Sequence, residues 1–533
     1  MNTNDLKTVY VDLSYTDAKA NFDEIKNVFE YAQTHKISKI VFPHGRYEVE
    51  NTRSIFLLNE LLSGDFKMTK CENPLARLNK TDNIEIDGGG VHLVFSGLLF
   101  PFDFVKCNNV AISDITVDWK RPIFSEGTVL ECSGDELTVK IDDEYPVSGG
   151  EPVVSYQDYN SSDGSLTGFC VFENIDSFKL IGKQTAVLKH RDAFNVKKGN
   201  RIVLRHMYAY SSCFHFYKCK NVNIKNITLN TALGMGIICH RCTDVNFEKL
   251  SVLPRSGRLI STNTDATHLI SCMGDVKYTN CGFSSMGDDA CNVHGFYMIC
   301  QKIIDEKHAV FCIRASVQDG ILEIPDVNDK IEFISGITLK AFSESEVISK
   351  KSGSNPREVI LEFKDSLPDN YACGDFIANI SKTAKLIFDS CRVSDVRGRG
   401  VLVQTRGAII ENSVFSNCTG QGIHIDTAVG WDESVGTRDI VIKNNKFLNC
   451  GYGMTKYCDA CALVIETECE KPEAGVHGNI TVSGNYIDSS NVGMLIRCSK
   501  DVTVENNTFK KGDYELISVS DSENVIIRDN IEE

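Results

Sequence analysis

No stretch of this 533-residue chain is apolar for long enough to cross a bilayer. Its opening residues, MNTNDLKTVYVDLSYTD, have neither the basic leader nor the apolar core of an export signal. The sequence therefore reads as cytoplasmic, or as exported if a leader has been removed. A basic surplus is also lacking, since 56 Lys and Arg stand against 72 Asp and Glu for a net charge of −16. A nucleic acid or an anionic membrane would call for a basic face, so neither is expected as a partner. The 21 cysteines lack the even count of a disulfide framework, and a chain this large needs none. Two pairs, Cys239/Cys242 and Cys458/Cys461, have zinc-like spacing. So many other cysteines occupy packing positions that neither a metal nor a cofactor is expected.

What the chain does have is a repeat. Segments such as DVNFEKLSV from Asp244, DVKYTNCGF from Asp275, DIVIKNNKF from Asp439, NITVSGNYI from Asn479 and DVTVENNTF from Asp501 share one pattern. Apolar residues fill the second, fourth and ninth places, and the sixth and seventh are mostly polar or small. This spells a short period-2 strand, a turn and a second strand. Successive starts fall 22 or 23 residues apart in the clearest runs, which is one coil of a right-handed parallel β-helix. Cys281 and Cys391 share one offset from their coil starts, and Cys418 and Cys450 another, as stacked buried thiols would.

A second register follows these strands. Gly234-Met235-Gly236, Gly398-Arg399-Gly400, Gly420-Gln421-Gly422 and Gly451-Tyr452-Gly453 each precede a short apolar run. Glycine suits a sharp turn that takes positive φ and leaves no room for Cβ. Gly287-Asp288-Asp289 aligns with the triplets and breaks them, putting Asp289 where the others have glycine. TDATHL holds Asp265, 23 residues before Asp288, and its Asp265-Ala266-Thr267-His268 resembles the Asp289-Ala290-Cys291-Asn292 run, so Asp265 is expected to stack near Asp289. A local rule broken by charged residues marks a functional site.

The fold class expected is all-β: a right-handed parallel β-helix with an N-terminal capping helix and an inserted small β-barrel-like region. The cap is read from Phe22, Ile25, Phe29 and Ala32 at helical spacing. Residues 1–118 form the cap and first coils, 119–164 a β-rich insertion, and 165–295 the central coils with the aspartates. A second β-rich insertion spans 296–374 and the last coils 375–533. The two insertions are read as pairing into a small barrel beside the solenoid, the second either roofing the aspartates or serving a structural or oligomeric role.

Clustered carboxylates repel and push their pKa values apart, so one holds a proton near neutrality while its neighbours ionise. Glycosidic hydrolysis needs that division, and an inverting reaction asks for roughly 6.5–9.5 Å between acid and base. A polar turn or a calcium site would use the same residues. His268, Asn292 and His294 are candidate substrate contacts or partners of the acids. Trp431 and Glu433 are candidates for a sugar platform and a polar clamp.

At these residues the chain resembles known enzymes. The helix, the V-x-F-P-x-G-x-Y turn and the coils look like the pectin-lyase-like superfamily. TDATHL, GDDACNVHG, TRGAIIENSVF and GWDESVGTRDIVIKNNKF resemble the α-1,3-galactosidases of glycoside hydrolase family 110. The resemblance implies an inverting exo-hydrolase of terminal α-1,3-linked galactose, as on blood-group-B-type or linear α-1,3-galactosyl ends. It makes Asp288 the general acid and Asp265 with Asp289 the water-activating carboxylates. The implied partner is a galactose-terminated oligosaccharide or glycoconjugate, and a homodimer stays open. Two alternatives remain. A polygalacturonase-like hydrolase would use Arg397, Arg399 and Arg406 to hold an acidic polymer, and a glycan-binding β-helix would have no catalysis.

Overall fold

The computed structural model describes residues 7–67, 71–168, 175–192, 194–314, 323–453, 461–489, 492–512 and 515–533. Its body is a parallel β-helix with three strands per coil. Lys220–Lys225, Thr228–Leu229 and Ile237–His240 pair in parallel with Thr243–Glu248, Ser251–Val252 and Thr267–Ile270 of the next coil. Val222, Ile224, Val245 and Phe247 point into the core and are buried, while Asn223 and Asn246 between them face outward. This is the period-2 alternation of the repeat.

The repeat's polar letters have a backbone cause. Asn221, Asp244, Asp439, Asn479, Asp501 and Asn524 open their coils with φ between 52° and 62°. Asn226, Asn280, Asn412, Asn444 and Asn506 turn the corner to the second strand with φ between 51° and 57°. Asn and Asp tolerate this left-handed region better than other residues with a Cβ. The residue after each corner faces inward. Asn445 Nδ2 donates to Asn485 Oδ1 at 3.1 Å, and Asn485 and Asn507 each donate to the next at 2.9 Å. This ladder pairs amides that burial would otherwise penalise.

The core repeats as well. Phe283, Phe388, Phe415 and Phe447 stack with centroids 6.1, 6.1 and 5.2 Å apart. Cys281 and Cys391 touch, the Cys281 N–H meeting Cys391 Sγ at 3.4 Å. No disulfide links the described cysteines. Cys239 and Cys242 are buried in the core wall, where the Cys242 thiol donates to the Phe216 carbonyl at 3.3 Å. Cys458 lies outside the described residues.

Helix α1 (Ala18–Thr34) seals the first coils with Ile25, Phe29 and Ala32, and Phe22 is half-buried beside them. Asp17 caps it by accepting from the Ala20 N–H at 2.9 Å. A second helix, α2 (Thr52–Ser63), which the repeat does not announce, is capped by Asn51 and ends at Gly64 in the left-handed region. No described helix is long and apolar enough to cross a membrane.

Both insertions differ from expectation. The first continues past residue 164 to Arg205, because Ser177–Gly182, Thr185–Lys189 and Arg201–Arg205 join Phe124–Ser133, Glu136–Ile141 and Ser155–Tyr159 in one six-stranded antiparallel sheet. Their alternating patterns read like coil strands, which hid the boundary. It is spliced between neighbouring coils, since Phe102–Val105 pairs directly with Phe214–Tyr217. The second insertion closes by itself. The strand Cys291–Ile303 pairs in parallel within the β-helix at its start, then antiparallel with His308–Cys312 and Phe376–Asn379. Glu358–Phe363, Ala341–Ser352 and Lys330–Ile334 complete a six-stranded barrel that extends to Asn379, past the expected 374. Each insertion has a separate apolar core, so they do not form one barrel together.

Candidate active site

The site forms where the third strand of each coil begins. Backbone bonds from Gly236 N–H to Asp265 O, Ala266 N–H to Asp289 O, Ala290 N–H to Arg399 O and Gly400 N–H to Gln421 O fix the register. Met235, Asp265, Asp289, Arg399 and Gln421 therefore stack in one outward row. Asp288 occupies the place of Gly234, Gly398 and Gly420, and Ala290 that of Gly236, Gly400 and Gly422. The sequence alignment was one residue out, because it matched Gly287 to the first glycine. Gly236 and Gly400 also owe their identity to crowding rather than to positive φ. A Cβ would fall 2.5 Å from the Ala266 carbonyl oxygen at the one and 2.3 Å from that of Gly422 at the other.

The three carboxylates converge: one oxygen from each of Asp265, Asp288 and Asp289 lies within 4.8 Å of the others. That is a closest-oxygen distance, tighter than the carboxyl separation of an inverting pair, so it does not by itself select a stereochemistry. Arg397 Nη2 meets Asp288 Oδ1 at 2.5 Å, and its Nε donates to the Gly287 carbonyl at 2.6 Å. Arg399 donates to Asp289 through its backbone N–H (2.8 Å), Nε (2.9 Å) and Nη2 (2.8 Å), engaging both carboxylate oxygens. Among the described residues Asp265 is held instead by His268, whose Nδ1 lies 2.5 Å from its Oδ2.

These settings separate the three. Burial, with the charges of Asp288 and Asp289 added, holds Asp265 well above the usual carboxylate range. Burial also raises Asp289, against the pull of Arg399. Asp288 is the most exposed, its side chain 19% accessible against 6% for Asp265 and 2% for Asp289. The upward push is thus stronger on Asp265 than on Asp289, whereas the sequence reading placed the retained proton on Asp288.

Behind Asp265 a chain of side chains runs inward. His268 Nε2 is 2.8 Å from His294 Nε2, and His294 Nδ1 donates to the Gly295 carbonyl at 2.7 Å. Glu433 Oε1 lies 3.7 Å from His294 Nε2, and Gln404 Nε2 donates to Glu433 Oε2 at 2.6 Å. Burial pulls His294 down to about 4. Burial alone would raise Glu433, but His294, His268 and Gln404 bring it below its ordinary value. His268, His294 and Glu433 are also close enough to surround a cation. His268 and His294 are already hydrogen-bonded to each other, and Glu433 to Gln404.

The trio opens into a cavity of about 620 Å³, the size of an oligosaccharide end. Asp265, His268, Asp288, Asp289, Asn292, Trp431 and Glu433 all line it; His294 stands behind the wall. Trp431 is 57% exposed, while the chain's other tryptophan, Trp119, is fully buried. Among the described residues the barrel does not roof the trio. It braces the loop that carries Trp431, through Arg314 Nε to Asp432 Oδ1 at 2.7 Å and Tyr297 Oη to Thr427 Oγ1 at 2.6 Å.

Sequence reasoning missed His424, Asp426 and Glu468, which line the same cavity further along the helix. Burial pushes Asp426 up to about 7, with His424 pulling against Glu468 and Glu466. Their signal was the strand IHI after Gly420-Gln421-Gly422, whose His424 holds the row of His268 and Asn292.

Fold and cavity define a carbohydrate-active β-helix with a carboxylate trio. The family model described as "Right handed beta helix region" matches residues 429–532. Alpha-1,3-galactosidase B of Bacteroides thetaiotaomicron is 24% identical over 91% of this chain and 82% of its own length. Alpha-1,3-galactosidase A of Shewanella woodyi is 25% identical over 92% of this chain and 83% of its own. The chain is thus similar to curated α-1,3-galactosidases over most of its length, in line with the resemblance of its motifs. Among solved structures, the catalytic domain of a GH87 alpha-1,3-glucanase in complex with nigerose superposes with a TM-score of 0.46 and 10% identity. That fit covers 100% of this chain and 66% of the other, and no residue role is transferred from it.

Proposed function

We propose that this protein is an inverting exo-α-1,3-galactosidase that removes terminal α-1,3-linked galactose from oligosaccharides or glycoconjugates. The observation that carries the reading is the stacking of Asp265 and Asp289 in one row with Asp288 beside them, open to a cavity of about 620 Å³. Asp288 serves as the general acid. It is the most accessible of the three, and because Oδ1 engages Arg397, Oδ2 is the oxygen assigned to donate. Asp265 and Asp289, held from behind by His268 and Arg399, activate the water. Protons in so close a set belong to the trio as a whole, and a bound sugar redistributes them. The leaving oxygen takes the Asp288 proton as the C–O bond breaks. The opposite carboxylates accept a proton from the attacking water.

An acidic polymer fits poorly. Arg397 and Arg399 are paired with Asp288 and Asp289, and Arg406 binds Glu332 at 2.7 Å. Asp426, Glu433 and Glu468 add further carboxyl groups to the wall. Trp431 supplies an apolar face of the kind a sugar ring stacks on.

Nitrophenyl α-galactoside, Galα1,3Gal and polygalacturonate, offered to the purified chain with anomeric NMR of early product, test this. Release of β-galactose from the first two supports the reading. Turnover of polygalacturonate alone, or α-galactose as the first anomer, refutes it.

A further inference from the structure

We propose that His268 is a positioning residue that makes Asp265 a competent base, the two sharing one proton along a chain whose tautomers His294 sets. The inference rests on the hydrolase reading above and deepens it.

The hydrogen bonds leave one consistent assignment. The Gly295 carbonyl can only accept, so His294 Nδ1, 2.7 Å away, carries a hydrogen. His294 is fully enclosed and stays neutral at physiological pH, so its Nε2 bears a lone pair. His268 Nε2, at 2.8 Å, must donate to it. One proton then remains to lie between His268 Nδ1 and Asp265 Oδ2, 2.5 Å apart, on either atom. Both placements leave the pair neutral overall. Asp265 is thereby spared a bare charge beside Asp288 and Asp289, where burial and repulsion oppose one.

The step balances. Water's O–H bond breaks as its oxygen attacks the anomeric carbon, and the proton lands on Asp265 Oδ1. The shared proton settles on His268 Nδ1, so the pair gains one positive charge. Asp288 gives its proton to the leaving oxygen and gains one negative charge. Release of product and transfer of the extra proton through solvent to Asp288 restore the start. Among the described residues, charged or titratable groups facing this unit include Asp288, Asp289, Arg399, Glu433 and Cys291 around Asp265, with Glu433 and His240 around His294.

The test replaces the acceptor while keeping a hydrogen-bonding side chain. His268→Gln should melt near wild type, keep KM within about threefold and lower kcat about 100-fold or more. The acid limb of its kcat/KM profile should move up by about one pH unit, because Asp265 then titrates without an imidazole behind it. His294→Gln, which can still accept from His268 Nε2–H, should leave the limb in place, while His294→Leu should move it. ¹⁵N NMR of labelled histidines should show Nε2–H on His268 and Nδ1–H on His294, a readout independent of activity. An unmoved limb in His268→Gln, or in His294→Leu should the first variant not fold, overturns the proposal, as do the opposite tautomers. A wild-type chain that releases no galactose while showing these tautomers instead refutes the hydrolase reading.

Discussion

Asp288 and Asp426 line one cavity and differ in what surrounds them. Asp288→Asn removes the proton donor but keeps a side chain of the same shape beside Arg397, so the protein should melt near wild type. Its kcat on a natural α-1,3-galactoside should fall about 10²–10⁴-fold, and turnover at the wild-type rate would remove Asp288 from the mechanism. Asp426 is protonated in the folded state up to about 7, against roughly 4 in an unfolded chain. Between those values the native protein binds more protons than the unfolded one, so Asp426 makes stability fall as pH rises through the window. Asp426→Asn abolishes that contribution, and urea midpoints at pH 5 and pH 8 should lie closer together in the variant than in wild type. Asp288 was legible in the sequence because it stands where neighbouring coils have glycine, and Asp265 and Asp289 because the short runs they open resemble each other on successive coils. The distribution of protons was not, since it depends on Arg397, Arg399 and His268 arriving from other coils or positions.

Coils were legible as elements because their left-handed corners demand Asn, Asp or Gly at fixed places. The hairpin of residues 177–189 and the strand Arg201–Arg205 were not, because alternation looks the same in a coil wall and in an antiparallel sheet. The glycine row shows how tightly the wall is drawn. A Cβ at Gly400 would sit 2.3 Å from the Gly422 carbonyl oxygen and 2.7 Å from Phe415. Gly400→Ala should therefore cost about 1–3 kcal/mol in a denaturation curve and, by shifting Arg399, lower activity as well. Normal stability would mean that the neighbouring coils yield more easily than their contacts indicate. Trp431 belongs to a loop braced from the barrel by Arg314. Trp431→Ala should raise KM several-fold with kcat little changed, because the indole is placed to hold a sugar face rather than the reacting atoms.

Across the whole molecule, stability is distributed coil by coil, each touching only its neighbours. The first coils lie under α1, whereas the last strands leave Ile526 44%, Ile527 47% and Ile531 56% exposed. Amide hydrogen exchange should accordingly be slowest in the central coils around residues 220–300 and fastest in Glu523–Arg528, and uniform protection would contradict this gradient. One strand ties the architecture together. Cys291–Ile303 begins in the wall beside Asp289 and ends as a barrel stave, with His294 between the two halves. A single unbroken segment thus belongs to two independent hydrophobic bodies. Changes of sequence or length in the outer body's remote hairpins are therefore absorbed within its own core and leave the aspartates where they stand.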